Sequence, residues 1–270
     1  MSSSRRHGSG PIGRPPTLLV VLGLVGLALF LIPLVGLLAR VPWSELPALL
    51  ADEMVTEALR LSAVASVSAT FISLVLGVPL AWLLARVEFP GRSIVRGVVM
   101  LPLVLPPVVG GAALLFALGR RGLVGEPLYE TTGLILPFSV WGVVVATTFV
   151  AMPFMVITVE GALRSLDRRF EGAAATLGAR RWTVFRRVTL PMIAPSLLSG
   201  LVLTWARAFG EFGATVTFAG NLAGRTQTLP LAVFVALETE RDTAIAISLV
   251  MVVVSLAVLV TLRDRWWKAL

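Results

Sequence analysis

Six stretches of the chain run almost unbroken in apolar side chains, at about 17–39, 58–85, 98–118, 134–159, 192–219 and 243–262, with the charged residues gathered in short segments between them. A run such as TLLVVLGLVGLALFLIPLVGLLA (17–39) carries no charge and exceeds the ~20 residues an α-helix needs to cross about 30 Å of hydrocarbon. The pattern predicts an all-α integral membrane protein with six transmembrane helices over 17–262. A soluble fold would have to bury every run in one core, and 270 residues with 14% charged side chains cannot cover that much apolar surface.

The ends read differently. Residues 1–16, MSSSRRHGSGPIGRPP, are too polar and too rich in Gly, Pro and Ser to bury a core and are expected to be a disordered tail. The first apolar run is too long for the core of a signal peptide and lacks a small-residue cleavage site, so it is read as a retained span. Beyond the last run, 263–270 form a short C-terminal tail. The chain has no cysteine, which removes disulfides and thiolate metal sites.

Charge supplies the orientation, because short loops rich in Lys and Arg stay cytoplasmic. One alternating set of segments holds Arg5, Arg6, Arg14, Arg86, Arg92, Arg96, Arg164, Arg168, Arg169, Arg180, Arg181, Arg186, Arg187, Arg263, Arg265 and Lys268. The other holds only Arg40, Arg60, Arg120, Arg121, Arg225 and Arg241. Both termini are therefore expected in the cytoplasm, and the net charge of +8 reads as a topology signal rather than a nucleic-acid footprint.

Catalysis finds little to work with. The single histidine, His7, and the single lysine, Lys268, lie in the tails, and Asp52, Asp167, Asp242 and Asp264 sit in or beside loops. A phosphate-binding loop needs a lysine beside its second glycine, so any ATP must be bound by another chain. No catalytic residue, cofactor or metal site is expected. Pro79, the cluster Pro102, Pro106 and Pro107, and Pro137 and Pro153 interrupt backbone hydrogen bonds at depth, which is tolerated where neighbouring helices or a wet path take up the freed groups.

Within the spans only Arg207 and Glu211 are charged well inside, four residues apart and predicted on one helix face. Two readings stand: an intrahelical ion pair that orients the helix, or the lining of a translocation path in which Arg207 attracts an anion and Glu211 holds the guanidinium. On the second reading Gly210, Gly213, Thr215 and Asn221 complete the candidate path, the glycines allowing close helix approach.

The segment 160–191 is the unusual one. Leu163, Leu166, Phe170, Ala173, Ala174 and Leu177 recur at helical spacing, and Arg164 with Asp167 and Arg168 with Glu171 are expected as pairs three apart. Gly178 can end this amphipathic helix in the left-handed conformation. A further turn or two then carries Trp182, Phe185 and Thr189, with Pro191 at the start of the next span. The segment suits a basic loop resting on anionic lipid or a plug for a partner's groove.

EGAAATLGARRWTVFRRVTLP (171–191) resembles the EAA loop of permease subunits of ABC importers, which in that family docks into the ATPase subunit. Ala173, Ala174, Gly178, Val188, Leu190 and Pro191 fit its pattern. The acidic position falls on Gly172, with Glu171 one residue early as the acid available to take its place. LPLVLPPVVGG (101–111), GRRGLVG (119–125), MPFMVITVEGALRSLD (152–167) and ARAFGEFGATVTFAGNLAGRTQTLPLAVF (206–234) resemble the molybdate branch of the molybdate, tungstate and sulfate permeases.

The resemblance implies a type I ABC importer permease fold with a coupling loop at about 160–191 between the fourth and fifth helices, in a bacterial or archaeal cell membrane. It also implies the partners: a second copy of the chain, two cytoplasmic ATP-binding subunits and an extracytoplasmic oxyanion-binding protein. Two other functions remain open on the residues alone. A sulfate or thiosulfate permease would be paired with a different second permease; an ion-coupled secondary transporter with Glu211 as proton relay would need no ATPase and leaves 171–191 without a role.

Overall fold

The computed structural model describes residues 16–266. Residues 1–15 of the tail predicted at 1–16 lie outside the described residues, as do 267–270, His7 and Lys268; of the C-terminal tail predicted at 263–270, the first four residues continue the last helix, which ends at Trp266. Every regular element among the described residues is helical. The main ones are α1 (Thr17–Leu38), α2 (Glu53–Arg86), α3 (Arg92–Val104), α4 (Pro107–Leu118), α5 (Val140–Ser165), α6 (Arg168–Thr176), α7 (Arg181–Phe209), α8 (Gly213–Phe218), α9 (Leu229–Thr239) and α10 (Arg241–Trp266). Short helices Leu46–Ala51 and Gly125–Thr132 lie in the connections before α2 and after α4. Among the described residues α1, α2, α5, α7 and α10 are each long and apolar enough to cross a membrane.

Two of the six expected spans are not single helices. The run at 98–118 breaks after Val104, where Leu105 is extended (ψ 137°) and Pro106 follows it at ψ 131°. Each of these residues precedes a proline, whose ring disfavours the helical conformation one position earlier, while Pro107 suits the first position of α4. The run at 192–219 ends at Phe209, and α8 begins only after Gly210, Glu211 and Phe212. An apolar helix absent from the predicted set, α9, lies beyond it; at 11 residues it is too short to announce itself as a span.

The core sits around α5. Met155, Val156, Val159 and Leu163 pack against Val78, Ala81 and Leu84 of α2 and Ile193 of α7, all buried. Higher on the same helix, Ala146 and Val150 meet Leu114 of α4 and Ala214 and Phe218 of α8. The hydroxyls of Thr147 and Thr148 donate to the carbonyls of Val143 and Val144 at 2.7 Å each, so these two buried groups are satisfied within their own helix. A separate cluster joins Val55 and Ala58 of α2, Phe209 of α7, Leu229 and Ala232 of α9 and Ile247 of α10.

Helix α1 is the exception. It is apolar all round and has no buried residue, meeting the body lightly at α10. Such a surface is stable only against hydrocarbon or another chain.

Two π-turns widen otherwise α-helical rods, at Ser73–Gly77 in α2 and Phe185–Thr189 in α7. Each ends two residues before a proline, Pro79 or Pro191. A proline inside a helix lacks its N–H and collides with the carbonyl four residues back, and a widened turn at that spot relieves both faults without breaking the rod.

Close approach of α4 to α8 depends on Gly111. A Cβ there would lie 2.7 Å from the Ala214 carbonyl oxygen and 2.7 Å from Thr217 Cβ. Gly111→Ala is therefore expected to cost about 1–3 kcal/mol of overpacking. Thermal melting of the purified chain in detergent checks this, with Gly97→Ala, where a Cβ meets nothing within 4 Å, expected to leave the melting point unchanged or slightly raised, since alanine suits a helix interior better than glycine.

Candidate functional site

Two regions gather the chemistry, one at each end of α7. The first begins where α5 stops. Leu166 and Asp167 leave the helical conformation, and Asp167 Oδ1 accepts from the Arg169 N–H at 2.9 Å, capping α6. At the other end Gly178 adopts φ +81°, the Gly178 N–H donates to the Ala175 carbonyl and the Ala179 N–H to that of Ala174. The chain then runs extended through Arg180 into α7. The predicted helix stop at Gly178 is present, but the predicted continuous helix from 160 is not: α5 and α6 are separate.

Polarity on this turn is lopsided. Arg168, Arg169, Arg180, Arg181, Arg186 and Arg187 are exposed, together with the apolar Phe170, Leu177 and Trp182; Leu177 is 88% exposed. Trp182 stacks on Phe185 at 5.5 Å between ring centroids. Of the residues predicted here, Gly172 and Ala173 are exposed on α6, Ala174 is half-buried, and Val188 and Leu190 are half-buried on α7 with Pro191 exposed beside them.

The predicted pairing of charges is corrected. Glu171 does not pair with Arg168, three residues away; its Oε2 lies 3.1 Å from Arg86 Nη2 at the end of α2, and its Oε1 accepts the Thr189 hydroxyl at 2.7 Å. Arg164 does not pair with Asp167 either. It reaches Glu160 at 2.9 Å, and Arg96 of α3 reaches the same carboxylate at 2.6 Å. For Glu171, a tertiary partner with better burial outcompetes an exposed neighbour on its own helix, whose pairing is worth only tenths of a kcal/mol; for Arg164, the buried Glu160 one turn back on α5 outcompetes Asp167, which lies beyond the helix end and caps α6.

Arg86, Thr189, Glu160 and Arg96 carried no individual role in the sequence reading beyond the charge pattern or helix face. Glu160 left one signal, an acid in the last turns of a long apolar run with an arginine four residues on. Nothing in the chain's local pattern points from Glu171 to Arg86. Arg86, Glu171 and Thr189 open on a cleft of about 500 Å³ whose walls also include Trp82 and Arg181.

At the far end of α7, Arg207 occupies the last turn and Gly210 ends the helix. Glu211 therefore lies past the helix, not on its face as expected. The two still meet: Glu211 Oε2 is 2.5 Å from Arg207 Nη1, and Oε1 accepts the Ala214 N–H at 2.7 Å, so this carboxylate also caps α8. The acid is buried and Arg207 is 28% exposed on its side chain, which leaves the guanidinium as the reachable charge. Gly213 starts α8 hard against Pro107. Thr215 is fully buried, and Asn221 is half-buried in the loop that follows. The structure thus brings Arg207, Gly210, Glu211 and Gly213 to one break, with Thr215 and Asn221 further along the same segment. No group of three or more His, Cys, Asp or Glu among the described residues could hold a metal ion.

A family described as binding-protein-dependent transport system inner membrane component matches residues 73–270. The chain is 46% identical over 244 residues to the molybdenum transport system permease protein ModB of Mycobacterium tuberculosis, covering 90% of this chain and 91% of that one. It is 43% identical over 210 residues to ModB of Escherichia coli, covering 78% and 92%, and 35% identical over 247 residues to the sulfate transport system permease protein CysT of Escherichia coli, covering 89% of each. In fold it is similar to a bacterial ABC transporter involved in alginate import, at a TM-score of 0.75 and 20% identity over 93% of this chain and 95% of that one.

Glu160→Ala leaves two arginines facing a buried space without their carboxylate. We expect a loss on the order of 2–3 kcal/mol, below the figure for a fully buried pair because Arg164 is half exposed. Denaturant titration in mixed micelles measures it, and Glu160→Gln should recover part of the loss through its remaining acceptor.

Proposed function

Since the chain belongs to the inner membrane components of binding-protein-dependent transport systems, we propose that it is the membrane-spanning permease subunit of an ATP-driven importer of molybdate. The observation that carries the reading is 46% and 43% identity, over most of both chains, to permeases named for molybdenum transport, against 35% to one named for sulfate. The chain is a transport component and not an enzyme; with no phosphate-binding loop of its own, it relies on a partner chain to hydrolyse ATP.

The assembly we propose holds two copies of this chain, two cytoplasmic ATP-binding subunits and an extracytoplasmic binding protein that delivers the oxyanion. Each copy crosses the bacterial or archaeal cell membrane six times, with α3 and α4 together making the third crossing and α8 and α9 packed inside it. Both termini then face the cytoplasm, as the Lys and Arg bias requires, and so does the turn at 160–191 between the fourth and fifth crossings. This puts the arginines, Phe170 and Leu177 where an ATPase subunit can grip them. The covering that α1 needs comes from lipid or from the second copy.

Coupling follows from the length of one rod. Helix α7 runs without a break from Arg181 to Phe209, 29 residues and about 44 Å at 1.5 Å per residue. A push on α6, delivered when ATP closes the ATPase pair, reaches the lower end of that rod and reappears at its upper end, where Arg207 and Glu211 stand at the break. There Arg207 supplies positive potential to a passing anion, while Glu211 holds it in place and offsets much of its charge. Weak attraction suits this task, because a tight site would trap the ion. Hydrolysis resets the rod.

The experiment is ATP hydrolysis by the chain reconstituted with its ATPase and binding protein, with molybdate, tungstate or sulfate supplied in turn. Molybdate or tungstate should stimulate and sulfate should not. Gly178→Pro should abolish the response, because proline cannot reach φ +81° and removes the N–H that reaches Ala175. Equal stimulation by sulfate would move the chain to the sulfate branch, and uptake driven by an ion gradient without ATP would overturn the importer reading.

A further inference from the structure

Glu171 is the acid nearest to the acidic position of the coupling motif, and its placement is at odds with a contact to a partner. Its side chain is 21% exposed and turned toward the body of the chain, where Arg86 on one side and Thr189 on the other occupy both carboxylate oxygens. Arg86 is itself 9% exposed and Thr189 1%. Position 172, where the motif would put its acid, is an exposed glycine. From Leu166 to Leu190 the remaining acid is Asp167, whose carboxylate caps α6 and sits near Arg169.

We infer that Glu171 is an internal strut, not a docking contact: it ties the coupling helix α6 to the end of α2 through Arg86 and to the π-turn of α7 through Thr189, so that the three elements move as one body. The three anchor points lie on separate elements, and two of those elements are the long rods that line the core cluster around α5. The Arg86–Glu171 contact is an ion pair by proximity, and it is stiffer than an exposed pair because Arg86 is nearly buried and the carboxylate is also held by the Thr189 hydroxyl. Without the strut α6 is held by its connections at Asp167 and Gly178 and by its packing on the π-turn, and a push on it dissipates as local tilting. The face that remains for the ATPase is then basic and apolar, made of arginines with Phe170 and Leu177.

This rests on the permease reading given above. The test uses the full assembly with the ATPase and binding protein and compares wild type with Glu171→Gln, Arg86→Glu, Glu171→Arg and the swapped double variant Arg86→Glu with Glu171→Arg. Three quantities are read: co-purification of the ATPase, hydrolysis with and without loaded binding protein, and molybdate taken up per ATP. For Glu171→Gln, co-purification and basal hydrolysis should match wild type while uptake per ATP falls at least about fivefold, the lower range of coupling between distinct sites. The swapped double variant should regain part of the uptake that each single change loses, which a merely destabilised loop would not do. Weakened co-purification in Glu171→Gln would make the residue a docking contact and overturn the inference. So would unchanged uptake per ATP, or a double variant no better than its singles. A wild-type assembly that never answers to an oxyanion would instead overturn the permease reading.

Discussion

Inside hydrocarbon a backbone amide or carbonyl that leaves its helix has no water to bond, and several departures from plain α-helix in this chain come with a substitute partner. The first amides of α8 would be orphans after the break at Gly210; the Glu211 carboxylate takes the Ala214 N–H. The first amide of α9 donates to the Ser62 hydroxyl of α2 at 2.7 Å. Ser139 does the same for α5 by accepting from Gly142. Where the interruption comes from proline, the substitute is geometric: a missing donor at Pro107 falls at a helix start, and those at Pro79 and Pro191 follow a widened turn.

Charge obeys the same constraint. Glu160, Glu171 and Glu211 are each set into the body of the chain, and each is paired with arginine there. The excess positive charge is pushed outward to the turn at 166–190. One residue type therefore does two jobs: inward arginines neutralise carboxylates that fasten helices together, and outward ones mark the surface that meets water or a partner.

The parts of this design that were legible beforehand are those written in contiguous residues. Apolar runs long enough to span declare themselves, Gly178 announces a left-handed turn, and the triple proline at 102–107 marks broken backbone hydrogen bonds, though not that the run divides into two helices. The break at 210–212 was hidden because Gly, Phe and a lone acid inside an apolar run do not lower its hydropathy enough to look like a loop. Helix α9 was hidden by its brevity. The Arg86–Glu171 and Arg96–Glu160 pairs were out of reach, since their members are far apart in the chain and only packing of α2, α3, α5 and α6 brings them together. For the same reason the local Arg168–Glu171 pair gave way, whereas Arg164 kept a local partner and merely exchanged Asp167 for Glu160.

The two π-turns have a consequence for how the gene can vary. A single π-turn is an α-helix with one residue too many, so removing one codon within 73–77 or 185–189 returns the rod to ordinary winding while keeping the faces on either side in phase. The same deletion a few residues further along α2 would turn everything below it by about 100°, carrying Arg86 away from Glu171. Single-residue gaps that spare Thr189 should therefore be less harmful just ahead of Pro79 and Pro191, where they cost only the relief the widened turn gives the proline, than elsewhere in these rods, where they put whole faces out of phase.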